Sequence, residues 1–249
     1  AAFVAAGAGL KVAKHGNRSA SSRCGSADVL EALGVNLEAD PQTVGRCIDE
    51  IGIGFLFARS LHSAMKHVAG PRAELKLRTV FNILGPLTNP AGACGQVMGV
   101  YSPELITPLA RVLANLGTRR AFVVWGTDGL DEITLSGPTH VAEVRNGTVH
   151  EYDILPDELG FDCAPTEALR GGDVAQNVAI LKGVLEGRKG PQRDVVLLNA
   201  AAGILAGDGA EDWRPAVEKA ETTIDSGAAL AKLEQLVKAS HDFGRDLRA

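Results

Sequence analysis

From Gln96 onwards the chain alternates short apolar runs with amphipathic stretches, and no other feature limits its fold as much. Gln96 to Tyr101 reads as a strand, Glu104 to Leu116 as a helix and Ala121 to Trp125 as a strand. Such alternation implies βαβ units, so the fold class expected is α/β, with a mostly parallel central sheet covered by helices. Val141 to Val144 and Val149 to Tyr152 flank Arg145-Asn146-Gly147-Thr148, and the Asn-Gly pair predicts a hairpin that adds antiparallel strands. Val174 to Leu185 reads as a helix, Asp194 to Leu198 as a last strand, and Trp213 to Ile224 and Ala228 to Ser240 as amphipathic helices.

The first part of the chain is patterned differently. Ala1 to Gly7 reads as part of a buried helix, Leu10 to Ala13 as a strand, and Val29, Leu30 and Leu33 as the apolar face of a helix. Asp40-Pro41 is a helix start, with Val44, Cys47, Ile48 and Ile51 on one face, and Phe55 to Val68 resumes a helical pattern. His62 and His67 in that stretch read as surface residues. With 249 residues, 45% of them hydrophobic, the chain can bury a sizeable core; at 4% aromatic, that core must be aliphatic. A net charge of −5 disfavours nucleic acid or an anionic membrane as the main partner, so an anionic substrate would be met by local cations. No apolar run is long enough to cross a bilayer, and the alanine-rich start does not look like a signal peptide. Cys24, Cys47, Cys94 and Cys163 have no paired spacing for zinc or a redox couple, which suits reduced thiols in the cytoplasm.

Three stretches carry chemistry. Lys14-His15-Gly16-Asn17-Arg18 leads through Ser21 and Ser22 to Gly25-Ser26-Ala27-Asp28, in the order strand, polar loop, helix. Ser26 is expected to cap that helix, and a helix start beside cations favours an anion such as phosphate. Taken singly, these residues also read as solvated surface groups. Arg78-Thr79-Val80-Phe81-Asn82-Ile83-Leu84-Gly85-Pro86-Leu87-Thr88-Asn89-Pro90 reads as a helix with one Arg at its rim, ending in prolines. Gly126-Thr127-Asp128-Gly129-Leu130-Asp131-Glu132 follows a strand, the place where α/β sheets keep ligand loops. Asp131 and Glu132 could bind Mg²⁺ or form a solvated acidic turn. Gly171-Gly172-Asp173 reads as a helix entry turn rather than a phosphate loop.

Taken as ordered strings, all three stretches resemble the anthranilate phosphoribosyltransferase family, within glycosyltransferase family 3, to which the pyrimidine nucleoside phosphorylases are related. The resemblance implies transfer of phosphoribose from phosphoribosyl pyrophosphate to anthranilate in tryptophan biosynthesis. It implies donor phosphate contacts from Lys14 and Ser26, an acceptor site lined by His15 and Asn17, a carboxylate contact from Arg78, and Mg²⁺ held by Asp131 and Glu132. No general base is assigned. It also implies a discontinuous large α/β donor domain, 1–71 and 91–249, with 72–90 contributing to a small helical domain that is incomplete here. The family's N-terminal helical part and donor pyrophosphate loop are expected to be missing from this sequence, which leaves activity of the polypeptide alone, and the homodimer expected of a complete protein, open. The alternatives are a pyrimidine nucleoside phosphorylase and a non-catalytic nucleic-acid-binding relative.

Overall fold

The computed structural model of the chain describes residues 1–18, 24–58 and 81–246. The helices are α1 (Ala2–Gly7), α2 (Ser26–Ala32), α3 (Pro41–Arg46), α4 (Phe81–Leu87), α5 (Ile106–Asn115), α6 (Thr166–Leu169), α7 (Val174–Leu185), α8 (Pro191–Ala206), α9 (Trp213–Asp225) and α10 (Ala228–Asp246). The strands are β1 (Val12–Gly16), β2 (Ile53–Phe57), β3 (Gly95–Gly99), β4 (Arg120–Gly126), β5 (Thr139–Arg145) and β6 (Thr148–Ile154). The described residues fall into two compact units, one drawn from Ala1–Leu10, Ala93–Gly171 and Ala179–Leu233, the other from Lys11–Gly92, Gly172–Val178 and Glu234–Ala249.

The first unit is built on a four-stranded sheet of order β3-β4-β5-β6. β3 and β4 are parallel, joined through α5, whereas β4, β5 and β6 are antiparallel. The α/β architecture expected from the alternation is present, but this sheet is mixed. The reason is the connection: a parallel return needs a long crossover, usually a helix, and residues 127–138 form a loop without one. At the β5–β6 turn, Asn146 and Gly147 have φ of 51° and 81°, the doubly positive pair of the tight hairpin that Asn-Gly predicts. In β4, Ala121, Phe122, Val123 and Val124 are all buried although they point alternately to opposite faces, so both faces of this strand are covered. α5 presents Ile106, Leu109, Ala110 and Leu113 to β4, β5 and β6, and α8 packs on β3 and β4.

Small residues permit this packing where aromatics are few. A methyl group at Gly95 would run into the Ala206 carbonyl oxygen, so α8 meets β3 backbone to backbone. One at Gly7 would lie 2.6 Å from Thr223 Cγ2 on α9. The segment expected to be a strand, Asp194 to Leu198, is instead part of α8. Pro191 occupies the first turn, where a missing N–H costs nothing, and the helix runs on through the buried Ala200, Ala201 and Ala202. A short apolar run carries no period of its own, so its neighbours decided its state.

In the second unit β1 and β2 pair in parallel, Val12 with Ile53 through Gly16 with Phe57. Phe55 to Phe57, expected to begin a helix, therefore belong to a fully buried strand, which shows no alternation to read. The rest of that expected helix, with His62 and His67, lies outside the described residues. Asp40 caps α3, its Oδ1 accepting N–H bonds from Gln42 at 3.0 Å and Thr43 at 2.9 Å. The helix continues into a π-turn, Cys47–Ile51, which ends at Gly52 in the left-handed region (φ 86°). Gly54 then passes close under the turn, where a methyl group would sit 2.9 Å from the Val44 carbonyl oxygen. The start of α7 closes on itself: Asp173 accepts from the Gln176 N–H at 2.9 Å while Gln176 Oε1 accepts from the Asp173 N–H at 3.1 Å. Gly172-Asp173 is thus the helix entry turn that the sequence suggested.

Candidate active site

The second unit carries the Lys-His-Gly-Asn-Arg stretch. Lys14 and His15 are not loop residues but the end of β1, opposite Phe55 and Leu56. Lys14 is exposed and His15 half-buried; the Lys14 ammonium donates to the His15 carbonyl oxygen at 3.3 Å. Gly85 of α4 lies beside the imidazole, and Asn89 Nδ2 donates to the Ala13 carbonyl oxygen at 3.2 Å, tying the segment after α4 to β1. Asn17 is exposed just past the strand, and its carbonyl oxygen accepts from the Ala27 N–H at 3.4 Å.

Ser26 does not cap α2, contrary to expectation. Gly25 holds the cap position in extended backbone, and Ser26 is the first helical residue. Capping passes to Asp28, whose Oδ2 accepts from the Gly25 N–H at 2.8 Å. The Ser26 hydroxyl instead faces Gly16, where a methyl group would come within 2.8 Å of it. The absence of a side chain at Gly16 therefore leaves room for the Ser26 hydroxyl against the end of β1.

Arg18, a second cation of that stretch, is committed within the chain. Its two terminal nitrogens donate to the two Glu31 carboxylate oxygens, each at 2.7 Å, and Nη1 also donates to Asp28 Oδ1 at 3.1 Å. These bonds hold Glu31 below the ordinary carboxylate range and push Arg18 up. Arg18 thus clasps α2 to the end of β1. Sequence offered no means of separating this arginine from an anion ligand. Ser21, Ser22 and Arg78 lie outside the described residues.

The first unit carries the acidic loop at the carboxyl end of β4. The Gly126 N–H donates to the Leu130 carbonyl oxygen at 2.9 Å and the Thr127 N–H to that of Pro138 at 3.1 Å, closing the loop at both sides. Inside it, Asp128 Oδ1 accepts from the Leu130 N–H at 3.2 Å, and Oδ2 accepts from the hydroxyls of Thr134 at 2.7 Å and Thr166 at 3.2 Å. Burial alone would raise the Asp128 pKa; the bonds from Thr134, Leu130, Ser136 and Thr166 outweigh it and hold the carboxyl below its ordinary value. Asp131 and Glu132 follow, both exposed, and Ile133, Thr134 and Leu135 are then buried.

Among the described residues no group of three or more His, Cys, Asp or Glu could enclose a metal ion. Two adjacent exposed carboxylates fit Mg²⁺ all the same, because that ion keeps several waters and takes substrate phosphate oxygens beside one or two carboxylates. Two residues of this loop's framework were missed in the sequence: Asp128, noted only as part of the motif, and Asn199 of α8, whose side-chain amide bonds the Ile133 backbone. A polar residue next to the run Ala200-Ala201-Ala202 was the available signal for Asn199.

The profile of the glycosyl transferase family, a/b domain, matches residues 1–230. The chain is 58% identical over 241 residues to the anthranilate phosphoribosyltransferase of Symbiobacterium thermophilum, covering 97% of this chain and 71% of that protein. It is 60% identical over 240 residues to that of Geobacter sulfurreducens, covering 96% and 69%. The crystal structure of anthranilate phosphoribosyltransferase from Thermus thermophilus superposes with a TM-score of 0.91 at 51% identity, over 96% of this chain and 71% of that one. The Saccharomyces cerevisiae enzyme in complex with phosphoribosyl pyrophosphate and Mg superposes with a TM-score of 0.88 at 32% identity, over 97% and 68%. On this similarity along nearly its whole length, the chain belongs to the anthranilate phosphoribosyltransferase family.

Proposed function

We propose that the chain is a pentosyltransferase that moves the phosphoribosyl group of phosphoribosyl pyrophosphate onto the amino nitrogen of anthranilate, releasing pyrophosphate, in tryptophan biosynthesis. The observation that carries this reading is identity of 58% and 60% to two enzymes of that name over 97% and 96% of the chain. In the reaction the bond from the anomeric carbon to pyrophosphate breaks as positive charge builds on the sugar, and the carbon–nitrogen bond forms as the amine attacks. Much of the acceleration can come from holding the partners in line in a matched electrostatic environment.

In this reading Lys14 and Ser26 bind donor phosphate oxygens, and the meeting of β1 with the start of α2 at Gly16 supports that role for Ser26. His15 and Asn17 line the acceptor site. Arg78 receives the anthranilate carboxylate, for which a planar guanidinium is suited. Asp131 and Glu132 hold Mg²⁺, which when bound offsets negative charge on the leaving pyrophosphate. The aromatic amine is unprotonated near neutral pH, so it needs no strong base before attack.

The same reading takes 1–71 and 91–249 as the donor domain and 72–90 as part of a small helical domain. It takes a complete protein of this family as a cytoplasmic homodimer that engages neither nucleic acid nor membrane. The net charge of −5 supports the last point, and among the described residues no helix is long and apolar enough to cross a membrane.

Loss of anthranilate fluorescence with phosphoribosyl pyrophosphate and Mg²⁺, followed with the chain and with any longer product of its gene, tests the function. Decay that requires both substrates is the expected result. Phosphorolysis of a pyrimidine nucleoside with no such decay would overturn it.

A further inference from the structure

The acidic pair Asp131-Glu132 is exposed, yet the backbone on both sides of it is gripped. Asn199, on α8, places its side-chain amide against one residue of the loop: Oδ1 accepts from the Ile133 N–H at 3.0 Å, and Nδ2 donates to the Ile133 carbonyl oxygen at 2.8 Å. Nδ2 also donates to the Val195 carbonyl oxygen at 2.9 Å, one turn back, which fixes the orientation of the amide on its own helix. The two bonds to Ile133 imitate a strand partner for a residue that has no strand beside it, and the buried Ile133 side chain anchors the same point. On the other side, the Asp131 backbone lies directly on Gly99, the last residue of β3, where a methyl group would run into the Asp131 carbonyl oxygen. The dipeptide is therefore bracketed between β3 and α8.

We propose that Asn199 and Gly99 are positioning residues for the metal-holding carboxylates, with Asn199 setting the backbone from which Glu132 projects and Gly99 setting that of Asp131. The proposal rests on the reading of Asp131 and Glu132 as the Mg²⁺ ligands. Ligands on a surface loop can move with the loop, and a metal bound by only two protein carboxylates depends on both being presented together. Groups that orient metal ligands without touching the metal commonly matter for affinity nearly as much as the ligands do.

Removing the amide in Asn199→Ala leaves Ile133 unbridged while adding a good helix former, so α8 itself is retained. Hydrogen exchange at the Ile133 amide should then become faster, and Mn²⁺ alone, titrated by electron paramagnetic resonance, should bind about tenfold more weakly. Gly99→Ala displaces the loop from its other side and should weaken Mn²⁺ in the same direction. In turnover the Mg²⁺ concentration for half-maximal rate should rise in both variants while the anthranilate KM holds, a split that general loosening of the fold would not produce. Glu132→Gln is the reference. If Mn²⁺ affinity falls in Glu132→Gln but is unchanged in Asn199→Ala and Gly99→Ala, the positioning role is overturned by itself. Should Glu132→Gln bind Mn²⁺ like the parent chain, the metal reading fails and the proposal with it.

Discussion

Arg120 Nε donates to Glu143 Oε1 at 2.9 Å from the neighbouring strand, with the two side chains only 7% and 14% exposed. The other carboxylate oxygen is also taken, accepting from the Tyr152 hydroxyl at 3.0 Å, and that hydroxyl accepts in turn from Trp213 Nε1 at 3.1 Å. Burial, together with the Glu143 charge, pushes the Tyr152 phenol up, so it remains a donor throughout the physiological range. The network runs across β4, β5 and β6 and ties them to α9 at Trp213.

Such a pair is costly to break on one side. Glu143→Ala leaves the Arg120 charge buried without its partner and should cost about 3–5 kcal/mol in urea unfolding. Arg120→Met combined with Glu143→Leu should recover most of that loss. A single-variant loss under about 1 kcal/mol would mean the pair is effectively solvated.

Asp128 should make the first unit sensitive to acid. Its folded pKa lies below the ordinary aspartate value, so its stabilising contribution is fully present above the unfolded pKa of about 3.9 and is lost as pH falls through the folded value. Asp128→Asn should therefore lower thermal stability at pH 7 and flatten its decline at acidic pH. Melting temperatures from pH 7 down to about 3 would check this; parallel curves for the two chains would count against it.

Thiol chemistry should separate the cysteines by burial. Cys47 is buried at the start of the π-turn, and desolvation pushes its thiol up to about 11, whereas Cys94 and Cys163 are exposed. Maleimide labelling at neutral pH followed by peptide mass spectrometry should modify Cys94 and Cys163 first and Cys47 only in denaturant. Early modification of Cys47 would show that the π-turn opens readily.

Arg78 should matter for one substrate and not the other. Arg78→Ala should weaken anthranilate binding by about 2–5 kcal/mol, the scale for truncating one member of a desolvated charge pair. Steady-state kinetics with each substrate varied in turn give the comparison. An unchanged anthranilate KM would remove Arg78 from the acceptor site.

What could be read in advance was whatever is encoded within a few residues. Asn146-Gly147 specified its hairpin because positive φ at both positions is a local property of those two residues. Asp40-Pro41 marked the start of α3 for the same kind of reason, a side-chain acceptor followed by a residue that needs no partner for its nitrogen. The three ordered motifs likewise named the family by themselves. Local patterning misled where a segment was apolar without a period, as at Asp194 to Leu198 and Phe55 to Phe57, since buried helix and buried strand then look alike.

The candidate site divides along the same line. Sequence alone determined which residue types are present and in what order: the lysine, histidine and asparagine of the first stretch, and the adjacent carboxylates after β4. Tertiary structure decided which of them are committed within the chain. Arg18 paired with Glu31 and Asp28, Ser26 gave its capping place to Gly25, and Ile133 found its partner in Asn199, far away in the chain. The physical reason is that a hydrogen bond or ion pair forms between groups close in space, and closeness in space is set by how the helices pack on the strands.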